Sequence, residues 1–311
     1  MSEFTLKSVH PSKLDGSINF LFENPEKQII ESRIVQRDEQ KFIIYLSTQT
    51  GCDHACRFCH LTQMGLSTNV TSIDFSDIIR QARTLLDYVE NHPDCLMGKP
   101  KTVSFNFMAR GEPLSSEVFS LLHKRLLSQL FIEGMLNNLR AEVKISSILP
   151  TRVGGFYKRI VPYRKILDSM FDHDSLMRVR LYYSLYSVRP EFRKRWLPKA
   201  HDPNTAGEIL TGLRNQLVIH HALISGENDS HSDAQAIVDW AREYNIVPAF
   251  NLVRYNPYSE GQGKESSDEM REAYLNILRG SNQFISIQEV TRVGKDVAAS
   301  CGMFMNGSDS E

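Results

Sequence analysis

Three cysteines crowd into eight residues of the segment GCDHACRFCH, at Cys52, Cys56 and Cys59, with the spacing CxxxCxxC. That spacing is poor for a disulfide framework and good for a metal. Three thiolates satisfy three irons of a [4Fe-4S] cluster and leave the fourth iron open to an exogenous ligand. A structural zinc site with His54 or His60 as fourth ligand is the alternative. Zinc modules usually use paired CxxC knuckles, and no second pair occurs; zinc would also leave a long α/β body unexplained. A fourth cysteine, Cys301, lies between Ser300 and Gly302 near the chain end, where a loop of small residues can carry a thiol into a pocket. Taken alone, such a cysteine is more often a buried apolar residue. The fifth, Cys95, reads as incidental.

These groups need a scaffold. The segments 42–48, 102–108, 142–148, 177–185, 217–224 and 247–255 are β-branched or aromatic-rich runs of strand length. Helical patterns alternate with them. Ile79, Ala82, Leu86 and Val89 form one apolar face behind a Thr71-Ser72 start signal, and further helices are expected over 115–130, 204–215, 231–244 and 266–279. Alternating strands and helices imply parallel pairing through right-handed crossovers, here an open or partial (β/α)6 barrel with active residues just past strand ends. Residues 29–35 read as an extra strand preceding the barrel, while residues 1–20 and the tail NGSDSE look poorly ordered. The expected division is an N-terminal extension of one or two strands (1–40), the barrel (41–290) and a C-terminal loop (291–311) carrying Cys301.

The chain has 311 residues, 41% of them hydrophobic, enough for a substantial core. No apolar run reaches membrane-spanning length and the N-terminus lacks a signal-peptide pattern, so a soluble cytoplasmic protein is expected. The net charge of −1 gives no global sign of nucleic-acid binding. Locally it is uneven: between Arg152 and Lys199 twelve basic residues face four acidic ones, with Phe156, Tyr157, Tyr163, Tyr186, Phe192 and Trp196 interleaved. Such a stretch can bind phosphates and stack on splayed bases, or can be a solvated helix face balanced by acidic neighbours.

CxxxCxxC with Phe58 before the third cysteine resembles the radical S-adenosylmethionine (SAM) superfamily. The stretches STQTGCDHACRFCHLTQMG, MARGEPL, VKIS, SLY, ISGENDS, NLVRYNPY and GKDVAASCGMF follow in the order found in its RlmN/Cfr-type RNA adenine methyltransferases. This resemblance, over residues 29–304, implies a [4Fe-4S] cluster on Cys52, Cys56 and Cys59, and SAM contacts at Gly111, Glu112, Ser146, Ser184, Leu185, Tyr186 and Asn256. It implies that Cys301 is a nucleophile that takes a methyl group from one SAM before a second SAM generates the radical. That logic meets a real difficulty, because the sp2 carbons C2 and C8 of adenine are electrophilic and closed to polar methylation. Glu31 matches the family's proton-accepting glutamate; the bland reading is a glutamate on an edge strand.

The chain also departs from the family. Tyr45 stands where a resolving cysteine is usual, Ala109-Arg110 where glycine and methionine are usual, and only some thirty residues precede the matched region. The expectation is therefore a radical SAM methyltransferase acting on an adenine carbon of ribosomal or transfer RNA, served by a low-potential electron donor such as flavodoxin, with no membrane partner. A radical SAM enzyme for another nucleotide or a peptide, or a non-catalytic iron-sulfur RNA-binding protein, remain as alternatives.

Overall fold

The structure is a computed structural model and describes residues 3–151, 167, 178–213 and 216–305. Ten strands form a single sheet in the order β1 to β10, each paired with its neighbours in sequence. Strands β1 (Thr5–Pro11), β2 (Ile18–Glu23) and β3 (Ile29–Asp38) make an antiparallel meander that ends on β4 (Lys41–Tyr45). From β4 onward every pairing is parallel, through β5 (Thr102–Phe107), β6 (Arg140–Ser147), β7 (Arg178–Ser184), β8 (Leu217–Ala222), β9 (Ala249–Val253) and β10 (Ser286–Val290). No pairing joins β1 to β10 among the described residues, so the barrel is open.

A period of two decides what each strand does. On β6, Val143 and Ile145 are fully buried in the main core, while Lys144 and Ser146 line a central cavity. The same alternation sets Leu181 and Tyr183 against Tyr182 and Ser184 on β7, and Ile219 against His220 on β8. Because one face of β4 through β10 lines a single cavity, the sheet must curl around it.

Helices with both ends among the described residues are α1 (His60–Gln63), α2 (Phe75–Asn91), α3 (Glu117–Leu136), α4 (Pro190–Trp196), α5 (Pro203–Leu210), α6 (His231–Glu243) and α7 (Asp268–Gly280). Helix α2 buries Ile78, Ile79, Ala82, Leu85 and Leu86. It starts at Asp74, whose carboxylate accepts from the Asp77 N–H at 3.0 Å, and not at Thr71-Ser72. Those two residues instead close the base of the preceding loop, Thr71 through paired bonds with Thr50 and Ser72 through a bridge to Gln49.

The partial barrel expected from sequence is present, and its six strands are β4 to β9. Strand β10 is a seventh. The N-terminal extension is more ordered than expected, with three strands in place of one or two. Phe20, Leu21 and Phe22 of β2 are at most 1% exposed, so the strand is buried on both faces and shows no alternation to read.

Candidate active site

The CxxxCxxC loop follows β4 directly. Its turn is fixed by the Cys52 N–H donating to the Leu66 carbonyl (3.0 Å) and the Cys59 N–H to the Cys56 carbonyl (3.1 Å). All three cysteines face the central cavity. Burial pushes every one of these thiols above its ordinary value, Cys59 to about 11, so they are neutral until a metal displaces their protons. Each histidine considered as a fourth zinc ligand has one ring nitrogen engaged, His54 Nε2 at 2.7 Å from Ser115 Oγ and His60 Nε2 at 3.1 Å from the Asn256 carbonyl oxygen, while His54 Nδ1 has no hydrogen-bond partner. Among the described residues no three His, Cys, Asp or Glu side chains converge on a point in the manner of a single-ion site. Three thiols of one loop facing one cavity fit a [4Fe-4S] cubane with its fourth iron open to a ligand.

Gly111, Glu112, Ser146, Ser184 and Tyr186 line the same cavity. Gly111 has φ +103°, and a Cβ there would sit 2.6 Å from Thr48 Oγ1 and 2.9 Å from Gln49 Oε1, so only glycine brings the backbone this close. The Glu112 carboxylate accepts from the Leu114 N–H (3.2 Å) and the Ile148 N–H (3.1 Å); burial outweighs these bonds and raises it to about 7. Tyr186, at φ +56°, stacks on Phe58 with ring centroids 4.2 Å apart. Leu185 and Asn256 do not border the cavity. Leu185 is core, its carbonyl accepting from Arg193 Nη1 at 2.7 Å. Asn256 Nδ2 donates to the Cys301 carbonyl at 2.9 Å.

Cys301 borders the cavity as an exposed residue, yet its sulfur turns toward His220, with Nε2 3.4 Å from Sγ. Burial raises the thiol to about 11 and lowers His220 to about 4, so the pair rests as thiol and neutral imidazole. The loop is tied to the CxxxCxxC segment by the His60 N–H donating to the Gly302 carbonyl at 3.0 Å.

Glu31 is fully buried and does not line the cavity. Its Oε1 receives Arg33 Nη2 and Arg110 Nε, each at 3.3 Å, and its Oε2 receives Asn19 Nδ2 (3.1 Å) and the Met305 N–H (3.3 Å). The two arginines extend the grip: Arg33 donates to the Ser300 and Met303 carbonyls, Arg110 to the Met305 carbonyl. Glu31, Arg33 and Arg110 thus form a buried clasp around the segment carrying Cys301. The unusual Arg110 belongs to this clasp and does not face the cavity.

Tyr45 lines the cavity, whereas Cys95 packs beside the main core. Of the basic stretch, Arg152, Lys158, Arg159, Arg164 and Lys165 lie outside the described residues, as do Phe156, Tyr157 and Tyr163. The remainder is largely partnered. Arg178 pairs with Glu142 (3.6 Å), Arg189 with Asp233 (2.7 Å) and Arg195 with Glu227 (2.8 Å). Arg193, expected at the surface, is 3% exposed and holds the Leu185 and His201 carbonyls. Lys194 is exposed and Lys199 donates to the Asp53 carbonyl.

His220, Lys144 and Tyr182 were not singled out in the sequence. For Lys144 and Tyr182 the signal was a polar residue at every second position of the strand, whereas β8 carries no such alternation around His220.

No protein-family model matches the sequence. A probable RNA methyltransferase of Rhodopirellula baltica is 26% identical over 300 residues, covering 94% of this chain and 71% of its own length. The dual-specificity RNA methyltransferase RlmN of Desulfotalea psychrophila is 27% identical over 303 residues, covering 93% of this chain and 74% of its own. A radical SAM methyltransferase from Sphaerobacter thermophilus superposes with a TM-score of 0.73 over 97% of this chain and 81% of its own, at 19% identity. Over nearly all of its length the chain is therefore similar to about three quarters of the length of proteins named RNA methyltransferases, RlmN among them, and it has the fold of a radical SAM methyltransferase.

Proposed function

We propose that the chain is a radical SAM methyltransferase that modifies an adenine carbon, C2 or C8, in RNA, with Cys301 as the methyl carrier. The observation that carries this reading is the meeting of Cys301 with Cys52, Cys56 and Cys59 around one cavity. A [4Fe-4S] cluster on the three loop cysteines would pass an electron from a donor such as flavodoxin to the sulfonium of SAM, which also supplies the methyl group.

The chain's own groups have separable tasks. Glu112 is placed to accept the ammonium of SAM, and Gly111 allows the backbone to come close beside it. Ser146, Ser184 and Tyr186 complete that wall, with Tyr186 braced by Phe58. His220, neutral and 3.4 Å from Sγ, is placed to receive the Cys301 proton as the thiol becomes a nucleophile. Glu31 has both carboxylate oxygens occupied by donors, which favours positioning the Cys301 segment over accepting a substrate proton.

The test is anaerobic incubation of reconstituted protein with SAM, reductant and unmodified RNA, followed by nucleoside mass spectrometry. A methyladenosine that disappears in Cys301→Ala supports the reading. Tyr45 in place of the expected thiol favours a second reading, the same enzyme class on another substrate; methylated Cys301 with no modified adenine in any RNA pool selects it. Neither methylation nor deoxyadenosine formation selects a non-catalytic binding protein.

A further inference from the structure

Lys144 is a buried lysine with no anion beside it. It is 9% exposed, and among the described residues its Nζ has no hydrogen-bond or ion-pair partner; it lies 5.4 Å from the centre of the Tyr182 ring. A buried ammonium is stable only when something balances it. Its surroundings do the opposite. Lys41, Arg180 and Arg37 all act on it as like charges, and the one nearby carboxylate, Glu142, already pairs with Lys41 and Arg178 at 3.6 Å each. Burial first, and these like charges after it, push Lys144 down to about 7.

The place of this cation gives it meaning. Lys144 lines the cavity that holds Cys301, as do Tyr182, His220 and Arg37, and Arg37 is exposed, so the cavity reaches solvent there. The contacts run in series: Lys144 on Tyr182, Tyr182 with His220 at 6.1 Å between ring centroids, and His220 on the Cys301 thiol. The missing negative charge therefore belongs on a ligand that also reaches Cys301. SAM is assigned to the wall at Gly111 and Glu112, which leaves the substrate to supply it.

The geometry points to a phosphate subsite formed by Lys144, Arg37 and Tyr182, occupied by the phosphate of a nucleotide whose base is presented to Cys301. This deepens the reading of the site as a nucleotide-modifying centre and rests on it. The phosphate can come from an RNA strand or from a free nucleotide.

The experiment compares the binding of adenosine, adenosine 5'-monophosphate and a short adenosine-containing oligoribonucleotide to anaerobic, cluster-loaded protein without SAM. Wild type should bind the monophosphate at least tenfold more tightly than adenosine. Lys144→Met should lose that ratio while keeping its affinity for adenosine. The variant should melt no lower than wild type in the absence of ligand, since methionine fills the site without a stranded charge. Tighter binding of the oligonucleotide, lost in the same variant, assigns the phosphate to RNA; tighter binding of the monophosphate assigns it to a free nucleotide. Equal affinity of wild type for adenosine and its monophosphate, or an unchanged ratio in Lys144→Met, overturns the subsite. Binding is read without turnover, so failure of the methylation reaction with an intact phosphate preference removes the proposed activity and leaves the subsite standing.

Discussion

Glu31→Gln separates a positioning role from a catalytic one. Glu31 is 0% exposed and Arg33 and Arg110 are each 2% exposed, so the substitution removes the shared counter-charge of two desolvated guanidiniums. It also turns an amide NH2 toward donors: if the Gln carbonyl keeps the arginines, its nitrogen faces Asn19 Nδ2 and the Met305 N–H. Breaking a buried ion pair by removing one partner costs about 3–5 kcal/mol. Backbone carbonyls that Arg33 and Arg110 already engage keep the loss toward the lower end, so about 3 kcal/mol is expected. Urea denaturation reads the loss, and hydrogen exchange over residues 297–305 should rise with it, because those residues hang on the clasp. A loss under about 1 kcal/mol with unchanged exchange, accompanied by lost turnover, would refute the clasp and return Glu31 to proton transfer.

Other consequences follow from the same geometry. Gly111→Ala meets both a positive φ and Thr48 Oγ1 at 2.6 Å, so it should lower stability by about 1–3 kcal/mol in urea denaturation and weaken SAM binding in equilibrium dialysis. Burial holds His221 at about 3, below its unfolded value, so its contribution is present above about pH 6.5 and lost as pH falls toward 3. Glu112, raised to about 7, works in the opposite sense, giving stability below about pH 4.5 that is lost as pH rises through 7. His221→Phe should therefore flatten the loss on acidification between pH 6.5 and 4, by up to about 3 kcal/mol, and leave the Glu112 slope in place; an unchanged acid limb contradicts this. Lys194→Gln should weaken RNA binding and reduce its salt dependence modestly, whereas Arg193→Met should lower the melting temperature, because Arg193 holds backbone carbonyls and not solvent.

Much of the architecture was readable because its signals are local. Each parallel strand shows its alternation or apolar run, and the CxxxCxxC loop lies where β4 ends. Sequence failed where the partner is distant. Nothing near Glu31 announces that Arg110, 79 residues away, and Met305, 274 residues away, will meet its carboxylate. His220 lay hidden for the same reason, since its value depends on a thiol 81 residues onward. Strand β2 escaped notice because burial on both faces removes the period-two signal. Arg193 misled because a run of cations reads as a surface, and only the fold shows its middle member turned inward.

The central claim is that Cys301 and the cluster cysteines serve one reaction. It is tested most directly by the intact mass of the protein, with peptide mapping, after anaerobic reconstitution with iron and sulfide and incubation with SAM. One added methyl group on the peptide containing Cys301, absent from Cys301→Ala and formed more slowly in His220→Gln, is the predicted result. An unmodified Cys301 in protein that binds both cluster and SAM would contradict it.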